Sequence, residues 1–552
     1  MFLEAAHAED IEFDVCIVGC GPAGISFALE FESICPEAKI LVVEFGGGST
    51  SKNRLDDSIV VENEINHHSP YECTNKGVGG TSATWGGRCV MYDPIDFAAR
   101  EILDGGCTWD DSFYEEAIRF VPRAQELFEC GAGTFDLTAS TAGYIPIADG
   151  FLRGKIDDSS VERWSMPTRF GKRYRAQLER SKGVVVVKNT LVTEIIEESG
   201  AGTNVVVRAE GRREGVRFSF RAMRVVVAAG AQETTRLLLK SKQLYNRIGG
   251  PSRALGHYYQ GHVSGKIASV RFYGPSAKTD YGFHRDRSGA YLRRRFQLSK
   301  ETILAENLLN TAMWLDNPPY YDPVHRSGAM SVMYLAILAP WLGRRLAPPA
   351  VAHAVTRGKR VKLSRHLLNI MRELPASFLV PLQLFYSRYC RERKLPGVFL
   401  YSNDNRYAIH FHSEQVPSFE NRMFLSDDGE ELHIRYSITD SDIDSIIRSH
   451  EILDSWLRET NCGELEYWYP KQALRDVIRS NSKDGVHQSG TTRIGDNPKT
   501  GVVDRNLRVF GTERVYVCSS SVLPTSSQAN PTFFMGVLAV RLAHHIRALC
   551  DM

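Results

Sequence analysis

The sequence predicts an α/β fold in which a doubly wound, Rossmann-like domain is interrupted by an α+β domain. Three observations carry this reading. A glycine-spaced turn, Gly19-Cys-Gly21-Pro22-Ala23-Gly24, joins an apolar run to a helical pattern. A second buried-type run, Arg224-Val-Val-Val-Ala-Ala-Gly230, arrives far downstream and leads into another helical pattern. Apolar strands and turns then resume only from Val502 to the C-terminus, after a long middle section of mixed strands and amphipathic helices.

Taken in order, Phe13 to Val18 reads as a strand, Ile25 to Phe31 as a helix and Ile40 to Val43 as a second strand. From about Gly46 to Gly87 the chain is rich in Gly, Ser, Thr and Asn, which marks a loop laid against another surface. Val184 to Val187 and Val205 to Val207 are strand-like, and Glu233 to Lys240 is helical after the run ending at Gly230. Residues 10–100, 165–260 and 480–552 are therefore assigned to the first domain, and 101–164 and 261–479 to a substrate or cap domain. With no internal repeat and no low-complexity linker, the two are expected to share a broad interface and a cleft.

Composition narrows the function classes. The 552 residues carry a net charge of +2, so no global field favours nucleic acid, and none is expected as a partner. The 11 cysteines are scattered without CxxC spacing, which speaks against a structural zinc or a redox dithiol. The first residues lack a basic start followed by an apolar run, and the longest apolar stretch, Met330 to Leu342, is too short to span a bilayer; a cytoplasmic location is the expectation.

The glycine turn carries the first chemistry. Gly19 permits the tight bend, Gly21 lets a pyrophosphate approach the backbone, and Gly24 lets the helix pack on the sheet. The helix N-terminus then faces the phosphate charge. Glu44, closing the next strand, is placed to accept hydrogen bonds from adenosine ribose hydroxyls and to repel the extra phosphate of NADP. FAD or NAD fits, and no second GxGxxG offers room for both.

Three further segments resemble the glucose-methanol-choline (GMC) oxidoreductase family. Gly79-Gly80-Thr81-Ser-Ala-Thr84-Trp85-Gly86-Gly87-Arg88 is similar to the loop those proteins lay along the flavin and its pyrophosphate. Ala229-Gly230-Ala-Gln-Glu-Thr resembles the strand-turn-helix beside their FAD. The most specific is His487-Gln-Ser-Gly490-Thr491, then Gly501-Val-Val-Asp504, Arg508-Val-Phe-Gly511, and Ser519-Ser520-Ser521 through Asn530-Pro531-Thr532. Glu414-Gln415-x-Pro417 with Asn421-Arg422 is also similar to a strand of that family's substrate domain. The resemblance implies FAD, held by Gly19, Gly21, Pro22, Ala23, Gly24, Glu44, Gly80, Thr81, Trp85, Gly86, Gly87, Val192, Ala229, Gly230, Ser520, Asn530, Pro531 and Thr532. Where some members attach FAD through a loop histidine, this chain has Thr84, so dissociable, noncovalent FAD is expected.

The resemblance also makes His487 and Asn530 the catalytic pair. A neutral imidazole can take the hydroxyl proton at physiological pH, whereas an amide cannot and would orient the substrate oxygen. The implied reaction is oxidation of a CH–OH group of a small-molecule alcohol or carbohydrate, with a sugar, glycoside or polyol preferred. The alternatives are a non-sugar alcohol and a cyanohydrin-cleaving lyase with redox-silent FAD. The electron acceptor, whether oxygen, a quinone or a redox protein, is left open. His410 and His412, two apart on a probable strand, are expected to be hydrogen-bonded strand histidines, and no metal is expected.

Residues 344–394 are strongly basic, with Arg344, Arg345, Arg357, Lys359, Arg360, Lys362, Arg365, Arg372, Arg388, Arg391, Arg393 and Lys394 opposed only by Glu373 and Glu392. Leu363, Leu367, Leu368 and Met371 fall at helical spacing. The expectation is an amphipathic helix that caps the cleft or makes peripheral contact with anionic lipid.

Overall fold

The computed structural model describes all residues except 49–50, 53–57, 104–107, 140–144, 166–167, 199–203, 213–214, 340, 342, 344–362, 403 and 551–552. The main sheet begins with β1 (Glu12–Val18), whose last four residues are all buried, as a strand covered on both faces requires. The chain crosses through α1 (Pro22–Ile34) to β2 (Ile40–Val43), parallel to β1. β3 (Val184–Val187) later adds parallel to β2, followed by β4 (Thr190–Glu197), β5 (Val205–Gly211) and β6 (Arg217–Val227). β6 has three partners: its first half is antiparallel to β5, and its second half runs parallel both to β1 and to β7 (Val515–Val517). The order is Phe2–Leu3, β3, β2, β1, β6, β5, β4, with β7 beside the end of β6. The parallel strands end on one side, where crevices in such sheets hold ligands.

A second, six-stranded antiparallel sheet has its own apolar core. Its strands run in the order Gly463–Tyr467, Val263–Phe272, Arg406–Ser413, Thr311–Asp316, Phe296–Leu298 and Ile156–Asp157. The helix Asp440–Glu459 buries Ile443, Ile446 and Leu453 in that core and opens with a capping box between Thr439 and Asp442.

The C-terminal helix, Pro531–Cys550, is long and apolar enough to cross a membrane by composition, but two-thirds of its apolar window is buried within the fold, where it lies along α1. It is a core helix: Phe534 stacks on Tyr92 at 4.7 Å and meets Phe97 and Trp109 edge-on.

The basic middle segment is helical where expected, with its apolar residues facing outward. Arg344, Arg345, Arg357, Lys359, Arg360 and Lys362 lie outside the described residues. Leu363–Arg372 is a helix, yet Leu363, Leu367, Leu368 and Met371 point outward, while His366, Asn369 and Ile370 are its buried residues. The physical reason is a polar seam: His366 Nδ1 is 3.0 Å from Ser331 Oγ, and Asn369 Nδ2 donates to Pro323 O at 2.9 Å. These groups fix which face the helix turns toward the fold.

Candidate active site

A long cleft opens at the ends of β1, β2 and β6. Its start is shaped by the glycine turn: Gly19 has φ +105°, and a Cβ on Gly24 would lie 2.1 Å from Gly19 O, so helix and turn meet only without a side chain there. Of the residues expected to hold the cofactor, Gly19, Gly21, Pro22, Ala23, Glu44, Gly80, Thr81, Trp85, Val192, Ala229, Gly230, Ser520, Pro531 and Thr532 line this cleft. Gly24 stands behind the turn, while Gly86, Gly87 and Asn530 lie off the lining.

Glu44 accepts backbone N–H bonds from Cys20 (2.9 Å), Gly46 (2.8 Å) and Gly77 (2.9 Å). These bonds fix the carboxylate at the cleft wall and leave it limited capacity for ribose hydroxyls, since a carboxylate has about four acceptor sites. Thr84 Oγ1 accepts from Asn75 Nδ2 at 2.6 Å and is exposed. Lys76, Glu233 and Arg236, which the motif reading missed, also line the cleft; Lys76 and Glu233 are paired at 3.1 Å.

The residues present fit FAD. A Cβ at Gly21 or Gly230 would meet nothing within 4 Å, so backbone borders open space at both of these cleft positions. The N-terminus of α1 opens into the same cleft, where its unpaired N–H groups favour a pyrophosphate. The lining then continues past Gly80, Thr81 and Trp85 to Val486, Gln488, Pro531 and Thr532, beside the expected catalytic pair.

At that end the structure brings His487 and Asn530 together: Asn530 Nδ2 donates to His487 Nε2 at 2.6 Å, and Asn530 Oδ1 is buried with no hydrogen-bond partner. In this arrangement Nε2 carries the lone pair and Nδ1 the proton. Behind Nδ1 lies Asp484, with Oδ2 3.6 Å away. Asp484 is buried, and its Oδ1 gathers the N–H groups of Gly485 (2.7 Å), Val486 (2.9 Å) and His487 (3.3 Å), which fixes the turn that presents the imidazole. Burial pushes this carboxyl up, but the charges and hydrogen bonds of His487 and His262 outweigh it and hold it well below the usual range.

Two further histidines complete the cluster. His262 donates its backbone N–H to Asp484 Oδ2 at 2.6 Å, and its buried Nδ1 is 3.5 Å from the same oxygen. His412 stacks on His262 at 4.0 Å and donates Nδ1–H to Gln528 O at 2.7 Å. Burial foremost keeps both imidazoles below their ordinary proton affinity. Ligand atoms of His262, His412 and His487 lie within 4.8 Å of one another, a set that could hold a metal ion and that spacing in the sequence did not reveal. His410 instead stacks on Trp314 and contacts Ser264 Oγ at 3.0 Å.

The loop before Asn530 is clamped from several sides. Ser527 Oγ donates to Asp96 Oδ2 (2.6 Å), Gln528 Nε2 to Asp93 Oδ2 (2.7 Å) and Tyr92 Oη to Ser526 O (3.0 Å). Burial, reinforced by Asp93, lifts Asp96 to about 8. Of these supporting residues, Asp484 alone had a local signal: an aspartate followed by glycine, three residues before the histidine it orients.

Comparison with known proteins bears on the fold and the family. Residues 418–539, which include both His487 and Asn530, match the family model of the GMC oxidoreductase C-terminal domain. A long-chain-alcohol oxidase of Arabidopsis thaliana is 39% identical over 51 residues, 9% of this chain and 7% of that protein. A 2-methyl-1,2-propanediol dehydrogenase of Mycolicibacterium austroafricanum is 35% identical over 66 residues, 12% of each. A dehydrogenase of Strobilurus tenacellus is 28% identical over 114 residues, 19% of this chain and 18% of the other. The matched segments thus span less than a fifth of these relatives' lengths. The fold match is far longer. A fungal aryl-alcohol oxidase superposes over 98% of this chain and 99% of its own, with TM-score 0.53 and 15% identity. A pyridoxine 4-oxidase from Mesorbium loti covers 97% and 99%, with TM-score 0.51 and 15% identity.

Proposed function

We propose that this chain, which carries the C-terminal domain of a GMC oxidoreductase, binds FAD noncovalently and oxidises a CH–OH group of a small-molecule alcohol. The observation that carries the proposal is the 2.6 Å contact between His487 and Asn530 at the end of the cleft, with Asp484 behind the imidazole. Bound FAD supplies the hydride acceptor.

The chain's own residues handle the proton and the alignment. A hydroxyl entering between the two side chains displaces Asn530 from His487 Nε2 and passes its proton to that nitrogen. The amide of Asn530 then donates to the substrate oxygen, the role its N–H group allows. Asp484 keeps the proton of the resting imidazole on Nδ1 and stabilises the imidazolium that forms, without taking a proton itself. Thr84 offers only a hydroxyl engaged with Asn75, which supports dissociable FAD.

Substrate class follows less directly. The short matches are to enzymes named for a long-chain alcohol and a diol, while sugars, glycosides and polyols are the class favoured by the Trp-Gly-Gly-Arg and Asn-Pro-Thr forms. An anaerobic titration of the FAD-loaded protein with long-chain, aryl and diol alcohols and with sugars and glycosides tests the proposal. Flavin absorbance should bleach with one class and name it. A flavin reduced by dithionite but by no member of the panel would count against alcohol oxidation.

A further inference from the structure

The helices Gly328–Leu338, Leu363–Arg372 and Ala376–Phe385 form a cluster that turns an apolar face outward. The first packs against the other two. Their seam buries Met330, Tyr334 and Ile370 and is fastened by polar groups: His366 and Asn369 contact Ser331 and the carbonyls of Tyr321 and Pro323, Ser377 Oγ donates to Ile370 O, and Gly328 N donates to Glu373 Oε2 at 2.6 Å. The helix Ala376–Phe385 is strongly apolar, yet its one buried residue is Ser377. Leu367, Met371, Phe378, Leu379, Leu382 and Phe385 are each 48 to 67% exposed. Scattered single apolar residues on a surface are ordinary, but a face of this kind on two adjoining helices marks something that covers it.

Charge identifies the covering surface. Between residues 363 and 394 there are six lysines and arginines and two glutamates, and one of the glutamates, Glu373, is turned into the seam. Arg365, Arg372 and Arg391 are exposed and make no ion pair among the described residues. A second copy docking by this face in a two-fold dimer would bring two surfaces of the same positive net charge together. A bilayer with anionic headgroups satisfies both features: acyl chains take the leucines and phenylalanines, and the headgroups take the guanidinium groups.

We propose that residues 363–391 form a docking surface for an anionic lipid bilayer, which the protein engages peripherally through the outer face of the helices Leu363–Arg372 and Ala376–Phe385. The inference is independent of the catalytic proposal, because the surface shares no residue with His487, Asn530 or the cleft.

The test is co-sedimentation of the full chain with vesicles of phosphatidylcholine alone and of phosphatidylcholine containing phosphatidylserine. Binding to the anionic vesicles should exceed that to phosphatidylcholine by roughly tenfold and fall as salt rises. The double variant L379E/L382E should lose binding and R365E/R372E should weaken it, both with the thermal midpoint of the parent, since all four side chains face solvent. Absence of binding to both vesicle types overturns the proposal. So does a parent protein that self-associates in sedimentation velocity, loses that association in L379E/L382E, and ignores vesicles, because the face would then belong to a second copy.

Discussion

The doubly wound half and the three-helix cluster obey opposite rules of burial. In the first, β1, β2 and β3 are buried along nearly their whole length, and the helix Pro531–Cys550 lays an apolar face on α1. In the second, hydrogen bonds of His366, Asn369, Ser331 and Ser377 hold the helices together while leucine and phenylalanine face outward. The first half is organised around exclusion of water from itself. The second leaves an apolar face uncovered among the described residues.

The sharpest way to expose this difference is at the glycine turn, where no spare volume exists. Gly24→Val places side-chain atoms against Gly19 O, and the expected outcome is no folded, FAD-binding protein, read by flavin retention during purification. Next in size, Phe534→Ala empties a fully buried aromatic position stacked on Tyr92 and should cost about 3–5 kcal/mol in denaturant unfolding.

Acid should separate the two regions in time. In the cluster, burial lowers His325 to about 4, assisted by His366, and His366 is lowered for the same first reason; Asp322 is the nearby carboxylate that opposes both shifts. Because these imidazoles bind protons more readily when unfolded, their contribution is full above an ordinary value of 6.5 and is lost as pH falls toward about 4. Hydrogen exchange at residues 363–385 should therefore rise over that interval before exchange in β1 and β2 does. Simultaneous loss of protection would show that the seam titrates no earlier than the sheet.

The smallest effect belongs to the outward face. Leu382→Ser removes a large apolar side chain yet should move stability by no more than about 0.5 kcal/mol, because that side chain leaves little water on folding. A loss comparable to that of Phe534→Ala would mean the face is packed after all.

The same contrast explains what could be read in advance. The turn from Gly19 to Gly24 and the strand ending at Glu44 were legible because tight turns and buried strands restrict residue type locally. His487 and Asn530 were legible only through resemblance, and the structure then placed them in contact. His412 was legible as a hydrogen-bonded strand histidine, but its nearness, with His262, to His487 was not, because that contact joins segments far apart in the chain. The helix at 363–371 was legible, but not the outward turn of its leucines, because helical spacing identifies an apolar face without stating what it faces. Glu44 shows a subtler limit: its position was foreseen, but not the three backbone N–H groups that occupy it.

The catalytic proposal is tested most directly by the rate at which the alcohol found by titration bleaches the bound flavin, compared between the parent protein, His487→Ala and Asp484→Asn. The proposal predicts a rate lower by on the order of 10²–10⁴ for His487→Ala, with FAD still bound, and an intermediate loss for Asp484→Asn. Bleaching by His487→Ala at the parent rate would remove His487 as the base and contradict the mechanism.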